Sequence, residues 1–81
     1  MKKISITLPQ LTMNTRESFG RKIVEKRNIM RITQQELASR AGITRNNLSR
    51  IENGKYPPTL DTIIKIATVL KLQLTFIEIE N

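Results

Sequence analysis

A chain of 81 residues, 38% of them hydrophobic, can build one domain with one modest core and leaves little room for a buried catalytic cleft of ordinary size. Lys and Arg number 14 against 7 Asp and Glu, giving a formal charge of +7, and neither cysteine nor histidine occurs. Disulfides, thiol nucleophiles and the usual zinc ligands are thereby excluded, and an enzyme would have to rely on carboxylates that are scattered among cap and tail positions.

Residues 16–55 hold ten of the bases and four acids, so the positive field lies over the first two thirds of the chain. A localised field of this sign attracts polyanions, nucleic acid first and an anionic membrane second. No run reaches the roughly 18 apolar residues of a membrane span. The basic start is interrupted by Ser5, Thr7, Pro9 and Gln10 before the apolar region of a signal peptide can form. The chain reads as soluble and cytoplasmic, with no cofactor.

Residues 3–8, "KISITL", alternate apolar and polar with the period of a half-buried strand, and Pro9 stops them. Asn14 with Glu17 has the spacing of a helix N-cap, and Phe19, Ile23 and Met30 form the apolar side of a helix over about 15–29. Thr33 with Glu36 forms a capping box for a second helix that runs to Ala41 and ends at Gly42. Thr44 caps a third helix through about Glu52, closed by "NGK" at 53–55. After the "YPP" loop, Thr59 and Asp61 open a fourth helix with apolar positions Leu60, Ile63, Ile64, Ala67 and Leu70. The tail "LQLTFIEIE", 72–80, is rich in β-formers, and its apolar face switches between Phe76 and Ile77, as at a bulge or in a strand covered on both sides.

The third helix is the informative one. At a helical period, Arg45, Asn46, Ser49, Arg50 and Asn53 fall within an arc of about 140°, with Leu48 and Ile51 opposite. One side anchors the helix and the other offers donors without an acid. A short capped helix precedes it across a tight glycine turn, which is the helix-turn-helix arrangement that sets a second helix into the major groove.

The stretch "TQQELASRAGITRNNLSRIENGKYPPTLDTIIKIATVL" resembles the phage-repressor or Xre type of helix-turn-helix domain over residues 19–70. The resemblance implies a mainly α fold, a lambda-repressor-like four-helix core over 15–70 in a single domain spanning 1–81. It also implies base contacts from Thr44, Arg45, Asn46 and Arg50, and phosphate contacts from Gln34, Asn53 and Lys55, to which Asn47 is added for positioning. Arg can pair bidentately with guanine and Asn with adenine, in keeping with Arg45, Asn46 and Arg50 as the readers. Thr44 has a competing role as helix cap, and Asn47 can serve only that cap. Lys22, Lys26 and Arg31 contribute to the general field. Glu52, the one acid in a basic region, is expected in a structural ion pair with Arg27. The family usually has glycine where this chain has Arg31, and often where it has Lys71.

The C-terminal stretch is similar to that of HipB-type antitoxins, in which a strand pairs across a dimer. Antiparallel pairing of the two terminal strands would bring Lys2 and Lys3 near Glu78 and Glu80, which charge favours. A twofold dimer built through these strands would carry two recognition helices about one DNA turn apart over a palindromic operator in double-stranded DNA. Pairing within one chain is the alternative. The expected function is a DNA-binding repressor that is the antitoxin and autorepressor of a HipA-like kinase toxin, the reading towards which the terminal strands and small size lean, with a stand-alone regulator as the alternative and a pure protein-interaction module as the contrasting class.

Overall fold

The computed structural model describes the backbone of residues 3–6 and 15–76, and the side chains of 16–73. Its elements are β1 (Lys3–Ile6), α1 (Thr15–Met30), α2 (Gln34–Ala41), α3 (Arg45–Glu52), α4 (Leu60–Val69) and β2 (Gln73–Phe76). The expected cap at Asn14, the bulge after Phe76 and the outer parts of both expected strands fall outside the described residues.

The helix boundaries follow from local chemistry repeated down the chain. Thr33, Thr44 and Thr59 are each extended, and each side chain accepts a hydrogen bond from the backbone N–H three residues on, at Glu36, Asn47 and Thr62. Such caps satisfy a donor that the helix itself leaves orphaned. The expected capping box at Thr33 forms only in this direction, because the Glu36 carboxylate turns to Arg40, 2.6 Å away.

The other ends are equally uniform. After α1, Arg31 N–H donates to Asn28 O and Ile32 N–H to Arg27 O. The same two-bond closure recurs at Gly42 and Ile43, at Gly54 and Lys55, and at Lys71 and Leu72. This closure puts a residue one or two positions past the helix in the left-handed region, and the φ values of Arg31, Gly42, Gly54 and Lys71 are 59°, 73°, 71° and 58°. The two departures from glycine noted in the sequence therefore keep the glycine backbone, each at a cost of roughly 1 kcal/mol.

Ile23, Ile32, Leu37, Ala38, Ala41, Leu48, Ile51, Ile66 and Leu70 form one buried cluster, with Phe19, Met30 and Leu72 packed against its edge. Burial of each large member contributes about 1.5–3 kcal/mol. The buried stripe of α4 is rotated from the expected one. Ile66, Ala67 and Leu70 face the core, whereas Leu60 and Ile64 are 58% and 49% exposed. The segment has apolar residues on more than one side, and docking on α2 selects which of them is buried.

The terminal strands pair parallel, with Lys3 opposite Gln73 and Ile6 opposite Phe76. This corrects the antiparallel arrangement that charge favoured. A charge pair across strands is worth only about 0.2–1 kcal/mol. The direction of β2 is set first by the closure of α4, where Leu72 N–H donates to Ala67 O at 2.8 Å. The helical core serves as the long crossover that parallel strands require.

Candidate nucleic-acid interface

α3 is held from beneath by Leu48 and Ile51, both essentially without solvent exposure. Its first residue follows the Thr44 cap, so Arg45 and Asn46 project from the first turn, and both are exposed together with Arg50, Asn53 and Lys55. Asn47 and Gln34 are half-buried. The Thr44 hydroxyl accepts from Asn47 N–H at 3.0 Å, so capping accounts for its acceptor role and leaves its own O–H to donate elsewhere. Asn53 is the C-cap of α3, and Lys55 completes the closure behind it through its N–H to Arg50 O.

The face has a definite electrostatic character. Among the described residues, Glu25, Glu36, Glu52 and Asp61 are paired with Lys22, Arg40, Arg27 and Lys65. Arg31, Arg45, Arg50 and Lys55 have no carboxylate partner among the described residues. These four bases over α3 and its flanking turns are therefore unpaired among the described residues, and although Glu17 lies against Gly54 in the turn after α3, the excess of positive charge suits a polyanionic ligand.

Behind α3 lies a polar cluster that fixes its angle to the rest of the molecule. Arg27 meets both carboxylate oxygens of Glu52, Nε to Oε2 at 3.0 Å and Nη2 to Oε1 at 3.2 Å, and its Nη1 reaches Ile32 O at 3.1 Å. Gln34 Nε2 donates to Glu52 Oε1 at 2.8 Å. The Glu52 side chain is 3% exposed, and no buried side-chain polar atom among the described residues lacks a partner. A bidentate, multiply bonded carboxylate is the form in which a buried ion pair is tolerated. The Gln34 contact is not legible in the sequence. A glutamine one position past a cap can point to solvent as readily as inward, and the lone acid in a basic stretch was the only available signal.

Gly20 is a second residue that periodicity passes over. It lies buried in the middle of α1, and a Cβ there would meet the backbone carbonyl oxygens of Glu52 and Ile51, the latter at 2.7 Å. The last turn of α3 thus packs directly on the α1 backbone. Gly54 is seated against Glu17 in the same way, its absent Cβ 2.7 Å from Glu17 Cγ.

A capped helix, a glycine turn, and a second helix anchored on one side with donors on the other define a helix-turn-helix domain. Residues 23–77 match the helix-turn-helix family model, and the chain belongs to that family of transcriptional regulators. It is 36% identical over 62 residues to the ImmF control region 10 kDa protein of Bacillus phage phi105, an alignment covering 76% of this chain and 69% of that protein. It is 34% identical over 60 residues to the immunity repressor protein of the same phage, of which it spans 42%. Among solved structures it resembles the restriction-modification controller protein C.AhdI from Aeromonas hydrophila, with a TM-score of 0.71, 29% identity and coverage of 73% and 89% of the two chains. By their names the last two are a repressor and a controller, and the family is one of DNA-binding regulators rather than of enzymes. No helix of the described residues is long and apolar enough to cross a membrane.

Proposed function

We propose that the protein is a sequence-specific transcriptional repressor that lays α3 in the major groove of double-stranded DNA. In this reading Arg45, Asn46 and Arg50 contact base edges, Thr44 adds a contact beside its cap, and Gln34, Asn47, Asn53 and Lys55 fix the helix on the phosphate backbone. The observation that carries the proposal is the two-sided character of α3: Leu48 and Ile51 are fully buried, while the opposite arc is exposed, basic and free of acids. The Arg27–Glu52–Gln34 cluster supports it by holding that arc at a fixed angle.

The repressor acts in the cytoplasm as a homodimer joined through the terminal strands, on a palindromic operator. A two-stranded sheet is only marginally stable alone, and a second copy would double it. Among the described residues, Leu60 and Ile64 on α4, which packs beside β2, are the exposed large apolar side chains nearest in the chain to that sheet. The names of the phage relatives speak of control and immunity repression, which supports a stand-alone repressor over the antitoxin of a HipA-like kinase.

Two measurements test the proposal. Affinity for duplex DNA should fall steeply with salt, since each neutralised phosphate releases counterions; a salt-insensitive association would indicate a protein-interaction module instead. A nuclease-treated pull-down from the source cell should recover the protein without a stoichiometric partner of kinase size. Recovery of such a partner would restore the antitoxin reading.

A further inference from the structure

The four helix ends share one backbone geometry but not one residue type. Glycine occupies the left-handed position after α2 and α3, while Arg31 and Lys71 occupy it after α1 and α4. A side chain there is strained, and a non-glycine residue persists in such a conformation where something else retains it. A base near a helix C-terminus gains from the negative end of the helix dipole, and that account serves Lys71 and Arg31 equally.

Their surroundings separate them. The turn that carries Arg31 is strapped to the end of α3: Arg27 Nη1 bonds Ile32 O while the same guanidinium holds Glu52, and Gln34 donates to that carboxylate as well. Three residues span at most about 10 Å, so Arg31 lies within that distance of Gln34, whose amide touches the last residue of α3. Asn53 and Lys55 follow directly and are exposed. Arg31 is itself exposed and has no carboxylate partner among the described residues. Lys71 instead closes α4, whose main packing partners are α2 and β2 rather than α3.

We infer that Arg31 is a phosphate-binding residue of the DNA interface, retained in a left-handed backbone that glycine would occupy without strain. The inference rests on the DNA-binding reading above. It extends the phosphate-facing edge of Gln34, Asn53 and Lys55, of which Lys55 alone is charged, across the α1–α2 turn, so that the DNA strand meets a guanidinium before it reaches α3. Arg suits the task because its planar fork matches two phosphate oxygens.

The test compares the wild type with Arg31→Gly and Lys71→Gly. Each removes one positive charge and relieves one left-handed side chain, so the two variants are matched in both respects. Thermal melting establishes that each is folded, and binding to one duplex carrying the selected operator is then measured across a salt series. Arg31→Gly is expected to melt no lower than the wild type, to bind about three- to tenfold more weakly at about 0.1 M salt, and to lose about 0.9 from the salt slope for each chain bound. Lys71→Gly is expected to bind as the wild type does. Unchanged binding by Arg31→Gly, or an equal loss in both variants, overturns the inference while leaving the DNA-binding function intact. A wild type that binds no duplex overturns both.

Discussion

Gln34, the first residue of α2, donates its side-chain amide to the carboxylate of Glu52, the last residue of α3, at 2.8 Å. The two helices of the DNA-binding unit are thereby joined through a group that also neutralises Arg27. One N–H of the Gln34 amide is committed to this bond, and the proposed phosphate contact would use the other. Removing the carboxylate leaves a mostly buried guanidinium unpaired, at a cost of about 3–5 kcal/mol. A domain of this size has roughly 4–12 kcal/mol in total. Glu52→Ala is therefore expected to bring the protein close to unfolding in urea melts, whereas Ser49→Ala on the same helix should change little. Equal midpoints for the two would contradict the structural role of the pair.

Gln34 supplies a finer contrast. Gln34→Ala removes one hydrogen bond from a carboxylate that keeps Arg27, so a loss of about 1–2 kcal/mol is expected. Gln34→Glu sets a second carboxylate against Glu52 and should cost more than the alanine variant, in stability and in DNA affinity. The order of the two midpoints decides it, and a glutamate variant as stable as the alanine one would exclude the observed contact.

The close approach of α1 and α3 predicts an unusual response at a helix interior. Alanine is normally better than glycine there by about 1 kcal/mol. At Gly20, however, the added methyl would meet the carbonyl oxygens of Ile51 and Glu52, and overpacking of this kind costs about 1–3 kcal/mol. Gly20→Ala should lower the melting temperature, and a rise would show that the helices can separate freely.

Thr59 and Thr44 make the same cap on different helices. Alanine at either should cost about 1 kcal/mol of stability. Only Thr44→Ala should also weaken operator binding beyond what its stability loss explains, because Thr59 and α4 supply none of the proposed DNA contacts. Similar binding by the two variants would confine Thr44 to its capping role.

The positions of the helices were legible because their signals are local. The threonine caps before α2, α3 and α4 and the glycines after α2 and α3 specify those boundaries within a few residues, and the anchoring of α3 by Leu48 and Ile51 follows from period alone. What escaped depends on distant partners. The direction of the terminal strands is set by how α4 closes, which outweighs exposed charge pairs. The burial of Ile66 in place of Leu60 and Ile64 is set by α2. Gly20 carries no pattern, since a glycine within a helix reads only as a weak helix former until the backbone of α3 is placed against it. The left-handed backbone at Arg31 and Lys71 was recognisable only by likeness to a family that favours glycine there.

Whether the exposed arc of α3 reads bases is decided by sequence preference. Wild type, Arg50→Ala and Lys55→Ala would each be used to select from a pool of random duplexes at one fixed salt concentration. The wild type is expected to enrich one motif and Arg50→Ala to relax it at a single position per half-site, losing roughly 1–3 kcal/mol on the original sequence. Lys55→Ala should enrich the same motif with weaker binding throughout. An identical motif for Arg50→Ala, or no motif for the wild type, would contradict the account.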